Sequence, residues 1–166
     1  AQALFKEAGD KKMQAAVLLS ASTVQLVREE GGEALMAASD ALALYQETGD
    51  KLGEGRAHLA AGAAQIVDDQ YDTGAESAKA ALDCFKEAGN RKMEIAALDL
   101  AAHAMLMKEK PQMAFEFGTQ ALSVAREIAY ARGEAMALTT MVHTCLARGD
   151  AKKALLLAEQ GLAKFR

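Results

Sequence analysis

One ten-residue pattern returns along this chain at intervals of forty residues. It reads AQALFKEAGD at positions 1–10, ALALYQETGD at 41–50 and ALDCFKEAGN at 81–90. A fixed period of this length indicates a repeat array, whose members bury their apolar faces against one another because none can do so alone. The period divides the sequence into repeats 11–50, 51–90, 91–130 and 131–166, and residues 1–10 form the end of an earlier repeat.

Each repeat is predicted to be a pair of helices. The chain is 51% apolar, chiefly through Ala and Leu, and it contains one Pro and no Trp, which favours helix over strand. The pairs Gly49-Asp50 and Gly89-Asn90 suit a turn, because Gly accepts the left-handed conformation that ends a helix and Asp or Asn caps the next one. We expect first helices near 12–29, 51–68, 91–109 and 132–148, second helices near 33–47, 73–88, 111–128 and 151–165, and a leading half-helix before them.

The turns within the repeats have more varied signals. Breaks are expected at Gly31-Gly32, between Asp69 and Thr73, at Lys110-Pro111 and at Gly149-Asp150. Pro111 suits the first turn of a helix, where its missing N–H is not needed. The junction at 129–132, Ala-Tyr-Ala-Arg, lacks the Gly-Asp signal, so we expect a tighter turn or a continuous helix there.

Small residues recur at equivalent positions in both helices of each repeat. These positions are Ser22, Gly62, Ala102 and Val142, then Ala34, Gly74, Ala114 and Ala154, then Ala41, Ala81, Ala121 and Gly161, and only Val142 is larger. Small side chains let helix backbones approach closely, and we expect Leu18, Leu98, Leu138, Phe5, Tyr45 and Phe85 to fill the spaces between them.

The spacing of these small residues resembles that of the tetratricopeptide repeat. With the recurring string A-L-x-x-[FY]-x-E-x-G-[DN], the repeat is similar to the longer variety, of about forty residues, found in G-protein-regulator scaffolds and in bacterial signalling and transcriptional regulators. The resemblance covers essentially the whole chain and implies a right-handed α-solenoid of stacked antiparallel helix pairs. The sequence departs from the motif at His58, which replaces a Trp or Leu, and in lacking its terminal Pro, so no subfamily is assigned.

The resemblance also implies a binding surface, because the first helices of such repeats line a concave groove. By position, the groove residues are Leu19, Thr23, Leu26, Arg56, Leu59, Ile66, Asp99, His103, Leu106, Met136, Thr139, His143 and Leu146. Their mainly apolar character favours an amphipathic helix or an apolar extended segment as the ligand. Each of these residues has an alternative role in packing adjacent repeats together.

Other chemistries have weaker support in the sequence. His103 and His143 lie one repeat apart and Asp99 lies one helical turn before His103, which is a recognised ligand set for a divalent metal. Periodic sequence produces the same set without a metal, so we predict no metal and no cofactor. No nucleophile with a base and an orienting group appears, and we predict that the protein is not an enzyme. Cys84 and Cys145 form no CxxC pattern, which favours the cytoplasm or another reducing compartment without identifying it.

The charge pattern narrows the class of partner. The formal net charge is −4 with both signs alternating, as on solvated helix faces, so nucleic acid is not predicted. No run reaches the roughly 18 apolar residues that a membrane span needs, and membrane insertion is not predicted. The last predicted helix carries Leu155, Leu157 and Leu162 with no helix after it to cover them. We therefore expect a longer array, a second copy or another subunit to cover that helix.

These observations favour a protein-interaction scaffold that binds a helical or extended peptide in its groove. One alternative is a structural subunit held permanently in a large complex. Another is a domain of a regulator that senses a small effector, which would require a closed pocket.

Overall fold

The chain folds into eight successive helices over residues 10–164, which the computed structural model describes. They are α1 (Lys11–Val27), α2 (Gly31–Thr48), α3 (Lys51–Val67), α4 (Tyr71–Glu87), α5 (Arg91–Met107), α6 (Pro111–Glu127), α7 (Ala131–Ala147) and α8 (Ala151–Lys164). No strand occurs in this range, so the predicted all-α fold with two helices per repeat is confirmed. The predicted leading half-helix and Phe5 lie outside the described residues.

Every break between these helices is the same kind of turn. One residue with φ between 51° and 73° follows each helix, at positions 29, 49, 69, 89, 109, 129 and 149. The next residue donates its backbone N–H to a carbonyl five positions earlier, as from Asp50 to Tyr45 at 3.0 Å and from Tyr130 to Ala125 at 2.8 Å. This 6→1 hydrogen bond defines the Schellman motif and uses one of the carbonyls left over at a helix end.

The predicted Asp caps are present at three of the helix starts. Asp10 accepts a hydrogen bond from the Met13 N–H at 3.0 Å, and Asp150 accepts one from the Lys153 N–H at 3.1 Å. Asp50 accepts from the Gly53 N–H at 2.9 Å, and this hydrogen bond holds the pKa of the Asp50 carboxyl below its usual value. Each bond satisfies one of the free N–H groups at a helix start.

Two of the predicted turns differ from expectation. The junction at 129–132 is neither tighter nor helical, because α6 ends at Glu127 and Ala129 adopts φ 51°. The Schellman hydrogen bond at Tyr130 offsets the roughly 1–2 kcal/mol cost of a left-handed Ala. At the first turn, Glu29 rather than a Gly takes the positive φ, and Gly31 is already the first residue of α2.

Contacts divide the chain at residue 90 into two compact halves, each of two repeats. In the N-terminal half, α1 packs on α2, α2 on α3, and α3 on α4. The small residues allow close approach: Ser22 Oγ on α1 donates to the Ala34 carbonyl on α2 at 2.9 Å. At Gly74 on α4, an added Cβ would lie 3.2 Å from the Gly62 carbonyl oxygen on α3. The predicted close packing is therefore present in this half.

The C-terminal half repeats the arrangement with α5 to α8. Helices α5 and α7, the first helices of the two repeats, also contact each other. A Cβ added at Gly118 on α6 would lie 2.8 Å from the Met141 Cγ on α7, so a larger residue would force these helices apart. Leu98 and Leu138 are buried here, as predicted, next to the small residues.

A buried glutamate near the start of the first helix recurs every forty residues, at Glu54, Glu94 and Glu134. Each carboxylate is paired: Glu54 with Lys51 at 2.8 Å, Glu94 with Arg91 at 2.7 Å, and Glu134 with Lys164 and with Arg126 at 3.7 Å. Lys51 and Arg91 also reach Glu87 and Glu127 at the end of the following helix. A buried carboxylate is stable only with such partners, so these ion pairs fix how the two helices of a repeat meet.

Candidate functional site

A cavity of about 450 Å³ lies between α5 and α7 in the C-terminal half. Its walls are formed by Asp99, His103, Leu106, Met136, Thr139, Thr140 and His143. All of these except Thr140 belong to the residue set that repeat position assigns to the groove. The structure therefore brings six residues of that set together around one space.

Helical spacing explains why these side chains meet. Asp99, His103 and Leu106 are separated by four and three positions on α5, which places them on one face of the helix. The forty-residue period puts Thr139 and His143 at the equivalent positions of α7. Because α5 and α7 contact each other, the two equivalent faces form opposite parts of one cavity.

One side-chain hydrogen bond joins the two walls of the cavity. Thr140 Oγ1 on α7 donates to Asp99 Oδ1 on α5 at 2.5 Å. Thr139 bonds within its own helix instead, donating to the Ala135 carbonyl at 3.0 Å. Thr140 is thus the group that orients the only carboxylate lining the cavity, and the sequence set missed it. Its signal was its place four positions after Met136, on the same helix face.

The lining combines apolar and polar chemistry. Leu106 and Met136 are half-buried and offer apolar surface, whereas the imidazoles of His103 and His143 are exposed. Asp99 supplies a negative charge and hydrogen-bond acceptors, and the histidines supply ring nitrogens that donate or accept. Such a surface can bury an apolar side chain while hydrogen bonding to polar groups beside it.

The predicted residues of the N-terminal half have more varied surroundings. Leu19 is 6% exposed and packs in a core cluster that includes Ala15 and Tyr45, which is the packing alternative for that position. Ile66 is half-buried, and its Cγ1 lies 2.9 Å from where a Cβ of Gly74 would stand, so it fills the space beside that glycine. The others are partly or fully open: Leu26 and Leu59 are half-buried, and Thr23 and Arg56 are exposed.

Leu146, the last residue of the predicted set, is 55% exposed on α7 and does not line the cavity. It occupies the repeat position equivalent to Leu106, which does line it. Equivalent positions thus have different surroundings in successive repeats.

Within residues 10–164, no cluster of three or more His, Cys, Asp or Glu side chains is arranged to hold a metal ion. The Asp99, His103 and His143 set therefore shares a cavity without forming a metal-ligand arrangement. Over the same residues, none of the helices combines the length and apolar character needed to cross a bilayer.

The two cysteines have apolar surroundings. Cys145 is fully buried, and burial raises the pKa of the half-buried Cys84 thiol. A raised thiol pKa lowers the fraction of reactive thiolate, so Cys84 acts as a small packing residue.

Comparison with known proteins identifies the fold. No protein-family profile matches the chain, and no curated protein matches it in sequence. A Rap protein solved in complex with competence and sporulation factor superposes with a TM-score of 0.84 at 15% identity, over 93% of this chain and 43% of that chain. The chain is an all-α helical repeat protein.

A second solved structure gives the same result. The apo form of RapI superposes with a TM-score of 0.83 at 15% identity, over 96% of this chain and 58% of that chain. The chain thus spans about half the length of both structures. At this level of identity the likeness establishes the helical repeat fold.

Proposed function

We propose that this protein is a non-catalytic interaction scaffold of the tetratricopeptide type, which binds a helical or extended peptide segment of a partner along the inner faces of its first helices. The observation that carries the proposal is the cavity between α5 and α7. It is built from equivalent positions of two successive first helices, and these are the positions that line the binding groove in the repeats that this sequence resembles.

The size of the cavity suits this role. Its volume of about 450 Å³ falls within the range of about 300–1,000 Å³ typical of ligand sites. It is open to the surface, so a peptide can place a side chain in it while its backbone stays outside. A closed pocket, which the effector-sensing alternative requires, is absent at this position.

The chemistry of the lining supports a peptide ligand. Burial of an apolar side chain against Leu106 and Met136 would drive association, and Met adapts to irregular apolar surfaces. Asp99 and the two histidines would then fix the orientation through hydrogen bonds to the peptide. In the N-terminal half, Leu59, Leu26 and Arg56 remain predicted contact residues by repeat equivalence.

The Rap structures add support of a general kind. One of them was solved with competence and sporulation factor bound, so a protein of this fold forms a complex with that factor. With 15% identity between the chains, this supports ligand binding by the fold and leaves the partner of this protein to experiment.

The test is an affinity experiment on native extract with three immobilised proteins. These are the wild type, the double variant Leu59→Glu with Leu106→Glu, and the control Met36→Glu. Met36 is 70% exposed on α2, a second helix, so its substitution adds one charge away from the first helices. We expect specific partners to bind the wild type and Met36→Glu and to be lost from the double variant, because a buried charge opposes apolar association.

Circular dichroism of all three proteins should show the same helicity. If the double variant is folded and keeps every partner, the groove proposal is wrong. A large assembly retained by all three proteins would instead support the structural-subunit alternative.

A further inference from the structure

The repeats of the C-terminal half show what covers the face of a helix pair. Helix α7 packs on the α5–α6 pair, and the α7–α8 pair carries the equivalent face forty residues later. Leu122 on α6 is 7% exposed, whereas Leu162, its equivalent on α8, is 60% exposed. Gly118 and Ala121 on α6 are buried, while their equivalents Ala158 and Gly161 are partly open. The surface that α7 covers on one pair is thus uncovered on the next.

This uncovered face contains a second cavity, of about 310 Å³. It is lined by Ala135, Leu138, Thr139, Val142, Leu157, Ala158, Gly161 and Leu162, all but one of them without a polar side chain. A Cβ added at Gly161 would meet only the Leu138 Cδ1, at 3.6 Å, so the floor of the cavity has room above it.

The α6–α7 interface shows how such a face is filled. A Cβ on Gly118 would lie 2.8 Å from the Met141 Cγ, and 3.8 Å from both the Met141 nitrogen and the Ala137 carbonyl oxygen. The backbone of α7 therefore passes directly over Gly118, with Ala137 allowing the approach and Met141 as the large side chain beside it. On α8 the equivalent position is Ala158, next to the second cavity.

We propose that the α7–α8 face is a docking surface for one amphipathic α-helix of a partner protein, which packs as α7 packs on α6. The helix presents a small residue where its backbone crosses Ala158. Four positions later it presents a Met or Leu that enters the cavity over Gly161. The argument rests on continuity with the internal α6–α7 interface and does not depend on the groove between α5 and α7.

The test uses a labelled synthetic peptide with the sequence of residues 131–147, the helix that fills the equivalent face inside the protein. Fluorescence anisotropy should show saturable binding of one peptide per chain. Leu162→Glu should weaken binding by about tenfold or more, because it places a charge in an apolar interface. The matched control is Leu156→Glu on the same helix: Leu156 is 65% exposed and outside the cavity, so binding should be unchanged.

Two further variants separate docking from indirect effects. Gly161→Leu fills the cavity from within and should abolish peptide binding, while the thermal unfolding of the protein stays the same or rises. A peptide with Met141→Glu should fail to bind the wild-type protein. Variants of the α5–α7 groove, such as Leu106→Glu, should bind the peptide normally, so this proposal and the groove proposal fail independently.

The proposal is overturned if the wild type shows no saturable peptide binding, or if Leu162→Glu and Leu156→Glu bind equally well. Sedimentation velocity tests the other occupant. If the protein dimerises, the peptide does not compete, and Leu162→Glu restores the monomer, the face belongs to a second copy of the chain and the proposal is wrong.

Discussion

Thr140 donates a hydrogen bond to the carboxylate of Asp99 and so joins two helices that are one repeat apart in the sequence. Both side chains are half-buried at the wall of the α5–α7 cavity. A hydrogen bond to a charged acceptor is stronger than one between neutral groups. This bond therefore holds the two walls of the candidate site at a fixed separation and directs the carboxylate into its place.

We expect Thr140→Val to lower the free energy of unfolding by about 1 kcal/mol, because it removes the donor while keeping the shape of the side chain. Urea denaturation followed by circular dichroism measures the change. The control is Thr139→Val, whose hydroxyl bonds only to its own helix and which should change stability by less than about 0.5 kcal/mol. Equal losses in the two variants would show that the Asp99 bond contributes nothing specific.

Ala129→Gly should stabilise the protein by about 0.5–1 kcal/mol, since Ala129 adopts a φ of 51° that disfavours a side chain and Gly adopts freely. Thermal unfolding should show a higher midpoint. The comparison is Ala21→Gly, an exposed position inside α1, where the same substitution should destabilise by about 1 kcal/mol. A decrease in the midpoint of Ala129→Gly would contradict the turn described here.

Acidification should destabilise the protein in part through His58. Burial lowers the pKa of His58 below the 6.5 of a free histidine, so the unfolded chain takes up a proton at this site more readily than the folded one. The resulting stability is complete above the unfolded pKa and is lost as the pH falls through it toward the lower folded pKa.

His58→Leu tests this, because Leu cannot be protonated and matches the residue type of the motif at that position. The difference in unfolding free energy between His58→Leu and the wild type should move in favour of the variant as the pH falls from about 7 to about 5. A difference that stays constant with pH would show that His58 does not contribute. Denaturant titrations at several pH values supply the measurement.

Ala81→Trp should destabilise the protein by at least about 1–3 kcal/mol, because Ala81 is fully buried on α4 and the indole would overpack the helix pair. Asp83→Trp is the matched control, since Asp83 is exposed two residues further along the same helix. Chemical denaturation should show a clear loss for the first variant and little change for the second. A neutral Ala81→Trp would contradict the packing of α3 and α4.

The sequence predicts the helices well because two independent signals agree on them. The forty-residue period places the repeats, and apolar spacing with Gly and Asp at the ends places each helix. The turn at Ala129 escapes this reasoning, because the local sequence lacks Gly and a hydrogen bond that forms only in the folded turn stabilises the left-handed conformation. The sign of φ at a non-Gly residue is therefore a property of the whole turn.

Exposure at equivalent positions is harder to predict than the positions themselves. Repeat equivalence assigns Ile66 to the groove face, but Gly74 opposite leaves a space that Ile66 fills. The ion-paired glutamates, in contrast, could have been found: Glu54, Glu94 and Glu134 recur at the repeat period inside apolar helices. A side chain's surroundings depend on the size of residues from other helices, and one sequence does not state which helices meet.

The seven turns of residues 10–164 lie twenty positions apart and share one geometry, and this constrains how the gene for such a chain changes length. Duplication or loss of a forty-residue block joins two turns of the same kind and keeps every later helix in phase. An insertion of a single residue within a helix rotates all that follows in that helix by about 100° and turns its apolar face toward solvent. Recombination between repeats is therefore the tolerated route by which this array gains or loses modules.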